Sequence, residues 1–183
     1  MEQGFCIWLT GLSGSGKTTL AQELVKRLND TRYIEVMDGD EIRKGLSRDL
    51  GFSKEDRNEH NRRVIFCSKL MARNGVIVIV ALISPYRETR AYAKEQIPNT
   101  VEVFVKAPLD VCIERDPKGL YKKALAGEIK QFTGIDDPYE EPLEPDVVVE
   151  TDKQTVAESV NIILAKIHSI GLLTDEVYED AIR

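Results

Sequence analysis

The strongest constraint in this chain is the eight-residue stretch Gly11 to Thr18, GLSGSGKT, set between two segments of different periodicity. Before it runs Phe5 to Thr10 (FCIWLT), a short apolar and aromatic-rich segment of strand length. After it, Leu20, Leu24, Val25 and Leu28 recur at helical spacing across Thr18 to Leu28. A glycine-rich turn from a buried strand into a helix leaves backbone N–H groups unpaired and pointing one way. The helix N-terminus adds partial positive charge at the same place, which suits a polyphosphate. The match to G-x-x-x-x-G-K-[ST] is complete and stands in the strand-to-helix setting that gives the motif its meaning. In that setting Lys17 reaches the β- and γ-phosphates of a nucleotide and the Thr18 hydroxyl serves Mg²⁺. The donor-binding set is read as Gly11, Ser13, Gly14, Ser15, Gly16, Lys17, Thr18 and Thr19, with ATP as donor.

The rest of the chain alternates in the same way. Tyr33 to Met37 reads as a second strand, stopped by Asp38-Gly39-Asp40, and helical stretches follow at Glu41 to Leu46 and Glu55 to Arg73. Val76 to Ile83 is an unbroken apolar run closed by Ser84-Pro85, the pattern of a strand covered on both faces. Val101 to Val105 and Val147 to Val149 supply two more strands; Tyr86 to Gln96, Leu109 to Arg115 and Thr155 to His168 supply helices. Such alternation predicts a three-layer α/β fold with a parallel sheet, in one domain over residues 1–183. Residues 116–146 break the pattern, with no strand candidate and many Lys, Gly, Pro and acidic residues. A connection of this length is a functional lid or a disordered segment. The tail after Gly171 is weakly amphipathic and is expected to dock on the body or on a partner subunit.

Composition narrows the class. A net charge of −6 disfavours a duplex-binding surface, so no nucleic-acid partner is expected. No apolar run approaches the ~18 residues of a membrane span. Met1 to Gly4 lead straight into the first strand with no signal segment visible, so a cytoplasmic location is expected. Cys6, Cys67 and Cys112 are scattered and odd in number, as expected of buried thiols in a reducing compartment. His60 and His168 are too few and too distant to join them in a zinc site. No guanine-reading Asn-Lys-x-Asp is present, and the D-x-x-G at Asp116 to Gly119 is not at a strand end, which argues against a GTPase switch.

On the acceptor side, Asp40 and Arg43 in MDGDEIR share a helix face, a carboxylate beside a guanidinium. They suit an acceptor hydroxyl next to an anionic group, or else a capping Asp and a solvated Arg. Gly45 to Arg63 brings Phe52, Arg57, Arg62 and Arg63 close in sequence, which on its own reads as a charged helix face.

Together with IWLTGLSGSGKTT, DGDEIR, GLSRDLGFSKEDR, ISPYR and RDPKGLYKKALAGEIKQFTGIDDPYE, these residues closely resemble the adenylylsulfate kinase family. The resemblance implies a five-stranded parallel sheet with helices on both faces and a mobile lid. It implies ATP with Mg²⁺ as donor, adenylylsulfate as acceptor, and 3′-phosphoadenylylsulfate with ADP as products. It also implies Asp40 as base or metal partner, Arg43 and Arg57 on the phosphosulfate, and Phe52 with Phe132 around the acceptor adenine. Lys118 resembles the lid lysine, Arg115 lies against the ATP adenine, and Ile83, Ser84, His60 and Asn61 border the acceptor. Ser84 occupies the position of a serine sometimes described as a phosphoenzyme site.

The chain departs from the family pattern in three places. His60 stands where an asparagine is usual, with Asn61 next to it, and Gln131 replaces the glycine before Phe132. The segment before the first strand is shorter than in stand-alone members, which resembles the kinase domain of fused sulfurylase–kinase enzymes or a short form. A homodimer is expected, with a sulfurylase partner or fusion in relatives. If His60 touches the anionic acceptor, its protonation near pH ~6.5 would tighten acceptor binding. Two other readings remain: a kinase of another small metabolite, separable by an acceptor panel, and a nucleotide-binding partner domain that does not turn over.

Overall fold

The computed structural model describes residues 4–28 and 33–183; the expectation placed on Met1 to Gln3 lies outside them. Five parallel strands form one sheet in the order β2-β3-β1-β4-β5. They are β1 Phe5–Thr10, β2 Ile34–Asp38, β3 Ile77–Ala81, β4 Thr100–Lys106 and β5 Val147–Glu150. Eight helices are described: α1 Lys17–Leu28, α2 Gly39–Gly45, α3 Lys54–Ala72, α4 Arg87–Gln96, α5 Leu109–Arg115, α6 Leu120–Leu125, α7 Val156–Ser169 and α8 Asp175–Ile182.

The apolar runs have no alternation because both sheet faces are covered. Phe5, Ile7 and Leu9 of β1 pack with Leu20 and Leu24 of α1 and Ile163 and Ile167 of α7. The intervening Cys6 and Trp8 pack on the opposite face with Val64 and Ile65 of α3 and Ala93 of α4. A parallel sheet needs crossover helices, and these supply both layers. Helix ends follow local chemistry. The Ser53 hydroxyl caps α3 by accepting from the Asp56 N–H, and Thr155 with Glu158 forms a reciprocal capping box on α7. No helix among the described residues is long and apolar enough to cross a membrane.

Three expectations change in detail. The run read as a strand from Val76 to Ile83 is ladder only over Ile77–Ala81. Beyond it the chain leaves the sheet, because the Thr10 hydroxyl takes the Ile83 carbonyl at 2.7 Å and Ser84 adopts a left-handed φ of 45°. The stretch 116–146, left open between lid and disorder, is ordered around its own small core. Tyr121 there is fully buried and meets Phe132 edge-on at 5.0 Å between ring centres. The tail docks on the body: α8 and the turn before it bury Leu173 and Ala181 in the cluster that holds α1 and α7. The three cysteines are free thiols, with Cys6 and Cys112 buried.

Candidate active site

A cleft of about 1160 Å³ opens at the C-terminal ends of the strands, where an open parallel sheet exposes loop backbone. The phosphate loop forms one wall. Gly11 is there for space, since a Cβ would lie 2.3 Å from the Val105 carbonyl oxygen. Gly14 and Gly16, at φ 75° and 101°, turn the loop through conformations that side chains disfavour. Lys17 is 9% exposed and folds back over the loop, donating to the carbonyls of Gly11 at 2.8 Å and Leu12 at 2.6 Å. Burial lowers its pKa to about 8, with the Lys118 ammonium adding to the effect against the nearby Asp38 and Asp40 carboxylates. The loop is tied to the chain after β5, where the Thr151 hydroxyl donates to the Ser15 carbonyl at 2.8 Å. Arg115 lies across the same place, donating to the Thr151 carbonyl at 2.7 Å and to the Gly14 carbonyl at 3.3 Å.

Thr18 and Asp40, paired as metal partners in the sequence reading, have different neighbours. The Thr18 hydroxyl donates to Asp38 Oδ2 at 2.9 Å, and the other Asp38 oxygen caps α2 by accepting from the Asp40 N–H at 3.0 Å. Asp40 forms an ion pair with Lys118, which reaches it from the turn between α5 and α6. Sequence reasoning passed over Asp38, although an acid at the end of an apolar strand facing a phosphate loop was the available signal. Thr18, Asp38 and Asp40 gather hydroxyl and carboxylate oxygens at the mouth of the loop, the hard donor set that a Mg²⁺–nucleotide needs.

The opposite wall carries the acceptor candidates. Phe52 is 57% exposed in the loop before α3, with the Arg43 guanidinium 4.5 Å from its ring centre and Arg57 at 5.8 Å. Arg57 bridges the two aromatic segments, donating to the Phe52 carbonyl at 2.9 Å and to the Gln131 carbonyl at 2.5 Å. Phe132, 9% exposed, lines the same cleft but also belongs to the small core that holds Tyr121. Gln131 takes a left-handed φ of 56°, a conformation that favours glycine. Asp136 holds that turn, accepting from the Phe132 N–H at 2.6 Å and the Gln131 N–H at 2.8 Å, bonds that keep its carboxyl below the usual range.

His60 and Asn61 divide their work. Asn61 donates to the Arg57 carbonyl at 2.8 Å and accepts from the Ser84 hydroxyl at 3.1 Å. Ser84 in turn accepts from the Trp8 indole N–H at 3.2 Å. The Ser84 hydroxyl is thus buried and engaged on both sides, a poor arrangement for a nucleophile. His60 is 4% exposed, with Nδ1 on the Ser47 hydroxyl at 2.9 Å. Burial, with Arg43 and Arg63 nearby, lowers its pKa to about 4, so the protonation expected near neutral pH does not occur. Ile83 and Ser84 line the cleft beside Asn61.

This geometry sets a glycine-rich phosphate loop opposite a wall of arginines and aromatics, and the chain is similar to known proteins over most of its length. The family described as adenylylsulphate kinase matches residues 3–150. An adenylyl-sulfate kinase of Rippkaea orientalis is 56% identical over 177 residues, covering 96% of this chain and 98% of the relative. A probable bifunctional SAT/APS kinase of Sorangium cellulosum is 55% identical over 169 residues, covering 92% of this chain and 29% of that longer protein. The APS kinase CysC of Mycobacterium tuberculosis, solved in complex with AMPPNP and APS, superposes with a TM-score of 0.87 at 41% identity, covering 92% of this chain and 99% of its own. The chain belongs to the adenylylsulphate kinase family.

Proposed function

We propose that this protein transfers the γ-phosphate of ATP to the ribose 3′-hydroxyl of adenylylsulfate, giving 3′-phosphoadenylylsulfate and ADP. The observation that carries the reading is the single cleft in which the phosphate loop faces Arg43, Phe52, Arg57 and Phe132. An acceptor with an adenine and an anionic group fits such a surface, by stacking and by charge-assisted hydrogen bonds.

In this scheme the acceptor oxygen attacks the γ-phosphorus as the bond to the ADP oxygen breaks, and the hydroxyl proton passes to Asp40. Lys17 leaves the Gly11 and Leu12 carbonyls to meet the β- and γ-phosphates, so its charge is placed where negative charge develops. Thr18 and Asp38, with Asp40 beside them, would hold Mg²⁺, which neutralises phosphate charge when bound. Arg43 and Arg57 orient the phosphosulfate, and Arg115 rests on the donor base. Lys118 releases Asp40 and turns to the substrates as the 116–146 segment moves as a lid. Direct transfer needs positioning and charge stabilisation, with no step through Ser84.

The same reading includes a homodimer and a cytosolic location, in keeping with three free thiols. A sulfurylase fusion belongs to relatives such as the longer bifunctional protein. The test is product analysis with γ-labelled ATP and adenylylsulfate. Label must appear on the 3′ position and be released by a 3′-nucleotidase; label elsewhere on the acceptor would contradict the reading.

A further inference from the structure

Arg90, in the second turn of α4, is buried with 2% exposure and lies outside the cleft, yet its guanidinium fork holds three separate parts of the fold. Nε donates to Glu102 Oε1 of β4 at 2.9 Å. Nη1 donates to the Ser84 carbonyl at 2.5 Å, and Nη2 to the Glu140 carbonyl at 2.5 Å. The guanidinium carbon lies over the Tyr139 ring, 5.7 Å from its centre.

Two of these partners matter to the acceptor wall. Ser84 sits at a left-handed φ of 45°, a conformation that is unfavourable for a non-glycine residue and persists only where its surroundings enforce it. The Arg90–Ser84 bond supplies part of that enforcement, with the Thr10 hydroxyl 3.5 Å from the same carbonyl. Through its side chain Ser84 then holds Asn61, and through Asn61 the backbone of Arg57. Glu140 lies near the C-terminal end of the 116–146 segment read as a lid, already anchored where its N–H donates to the Pro85 carbonyl at 2.8 Å and its carboxylate accepts from the Arg87 N–H at 2.8 Å. One side chain therefore fixes the loop that borders the acceptor and the base of the segment that covers it.

We propose that Arg90 is a positioning residue for the acceptor: it sets the Ile83–Ser84–Pro85 loop and the Glu140 base of the lid in one register without touching substrate. The proposal rests on the acceptor assignment made above. Glu102 anchors the fork, with Lys94 at 3.9 Å from its other oxygen, so removing Arg90 alone would strand a buried carboxylate. Lysine keeps the charge for Glu102, but a single ammonium cannot reproduce a planar fork serving three acceptors.

The experiment compares wild type, Arg90→Lys, and the double variant Arg90→Gln with Glu102→Gln, which removes both buried charges. KM for adenylylsulfate and for ATP is measured in each, with the folded fraction taken from thermal unfolding. A purely structural role lowers the active fraction and leaves both KM values unchanged. The positioning role raises the acceptor KM on the order of tenfold in both variants at unchanged ATP KM, with Arg90→Lys the milder. Unchanged acceptor KM in a folded variant, an equal rise for both substrates, or failure of both variants to fold would overturn the proposal. Wild-type turnover of adenylylsulfate in the same assay separates such a result from a failure of the functional reading.

Discussion

The Thr18 hydroxyl donates to the Asp38 carboxylate at 2.9 Å, joining the end of the phosphate loop to the end of β2. Asp38 also caps α2, so one side chain orients the loop threonine and the helix that carries Asp40 and Arg43. In the scheme above this carboxylate stands beside the metal. Asp38→Ala is expected to raise the Mg²⁺ concentration for half-maximal rate by about 10–100-fold, the range seen when a partner of a metal site is lost. Asp38→Asn, which keeps the cap acceptor, should recover helix stability but not the metal response. A Mg²⁺ titration of the two variants that matches wild type would leave Asp38 as a helix cap alone.

Lys17 is expected to separate activity from stability. Burial holds its pKa at about 8 against an ordinary 10.5, so between those values the unfolded chain binds more protons than the folded one. Stability contributed at this residue therefore rises with pH across that window, and below about pH 8 the buried charge opposes folding in full. Lys17→Ala should lower kcat by roughly 10²–10³ or more, as loss of a transition-state charge partner does. Without nucleotide, the variant should melt at or above the wild-type temperature near pH 7. A variant that melts well below wild type would mean that Lys17 supports the fold rather than the reaction.

His60 gives the opposite pattern to the one its ordinary pKa predicts. Its folded pKa near 4 lies below the unfolded value of 6.5, because burial and two nearby arginines disfavour the charged ring. The contribution of the neutral ring to stability is complete above pH 6.5 and is lost as pH falls through 4. Thermal midpoints of wild type should therefore fall more steeply than those of His60→Asn as the solution is acidified through that window. The acceptor KM should show no inflection from His60 between about pH 5.5 and 8. An inflection near 6.5 that vanishes in His60→Asn would contradict the buried, neutral assignment.

Phe52 and Phe132 line one cleft but differ in what else they support. Phe52 is exposed and packed mainly against arginines, so Phe52→Ala should weaken acceptor binding by about 1–3 kcal/mol with little effect on unfolding. Phe132 also packs edge-on to Tyr121, whose hydroxyl donates to the Ser13 carbonyl of the phosphate loop at 3.0 Å. Phe132→Ala should therefore weaken the acceptor by a similar amount and lower stability as well. It should also raise the ATP KM, through the loosened Tyr121. Calorimetric titration of each substrate into each variant checks the split; equal losses in the two variants would show that the Tyr121–Phe132 core does not reach the donor site.

Most of this architecture is legible in the amino-acid sequence. FCIWLT and IVIVA are buried throughout, and an unbroken apolar strand needs a covering layer on each face, which crossover helices supply in a parallel sheet. The phosphate loop was legible because its chemistry is local: strand, glycines, lysine and helix follow one another. The acceptor wall was legible only through resemblance, since Phe52 and Phe132 come together through an Arg57 bond that spans 74 residues. What periodicity could not reveal was set by tertiary hydrogen bonds. Ser84 leaves the strand because Thr10 and Arg90 hold its loop, and His60 loses its ordinary pKa because it is on a buried face of α3 with Arg43 and Arg63 nearby. The polar composition of 116–146 concealed the contact between Tyr121 and Phe132 that orders it.

The most direct test of the central claim is coupled ADP release by the wild-type protein with ATP and Mg²⁺, with and without adenylylsulfate. ADP formation is expected to depend on adenylylsulfate and to match 3′-phosphoadenylylsulfate mole for mole. Nucleoside monophosphates or sugar acids at equal concentration should give little turnover. ADP release that ignores adenylylsulfate, or that is faster with one of those other acceptors, would contradict the account.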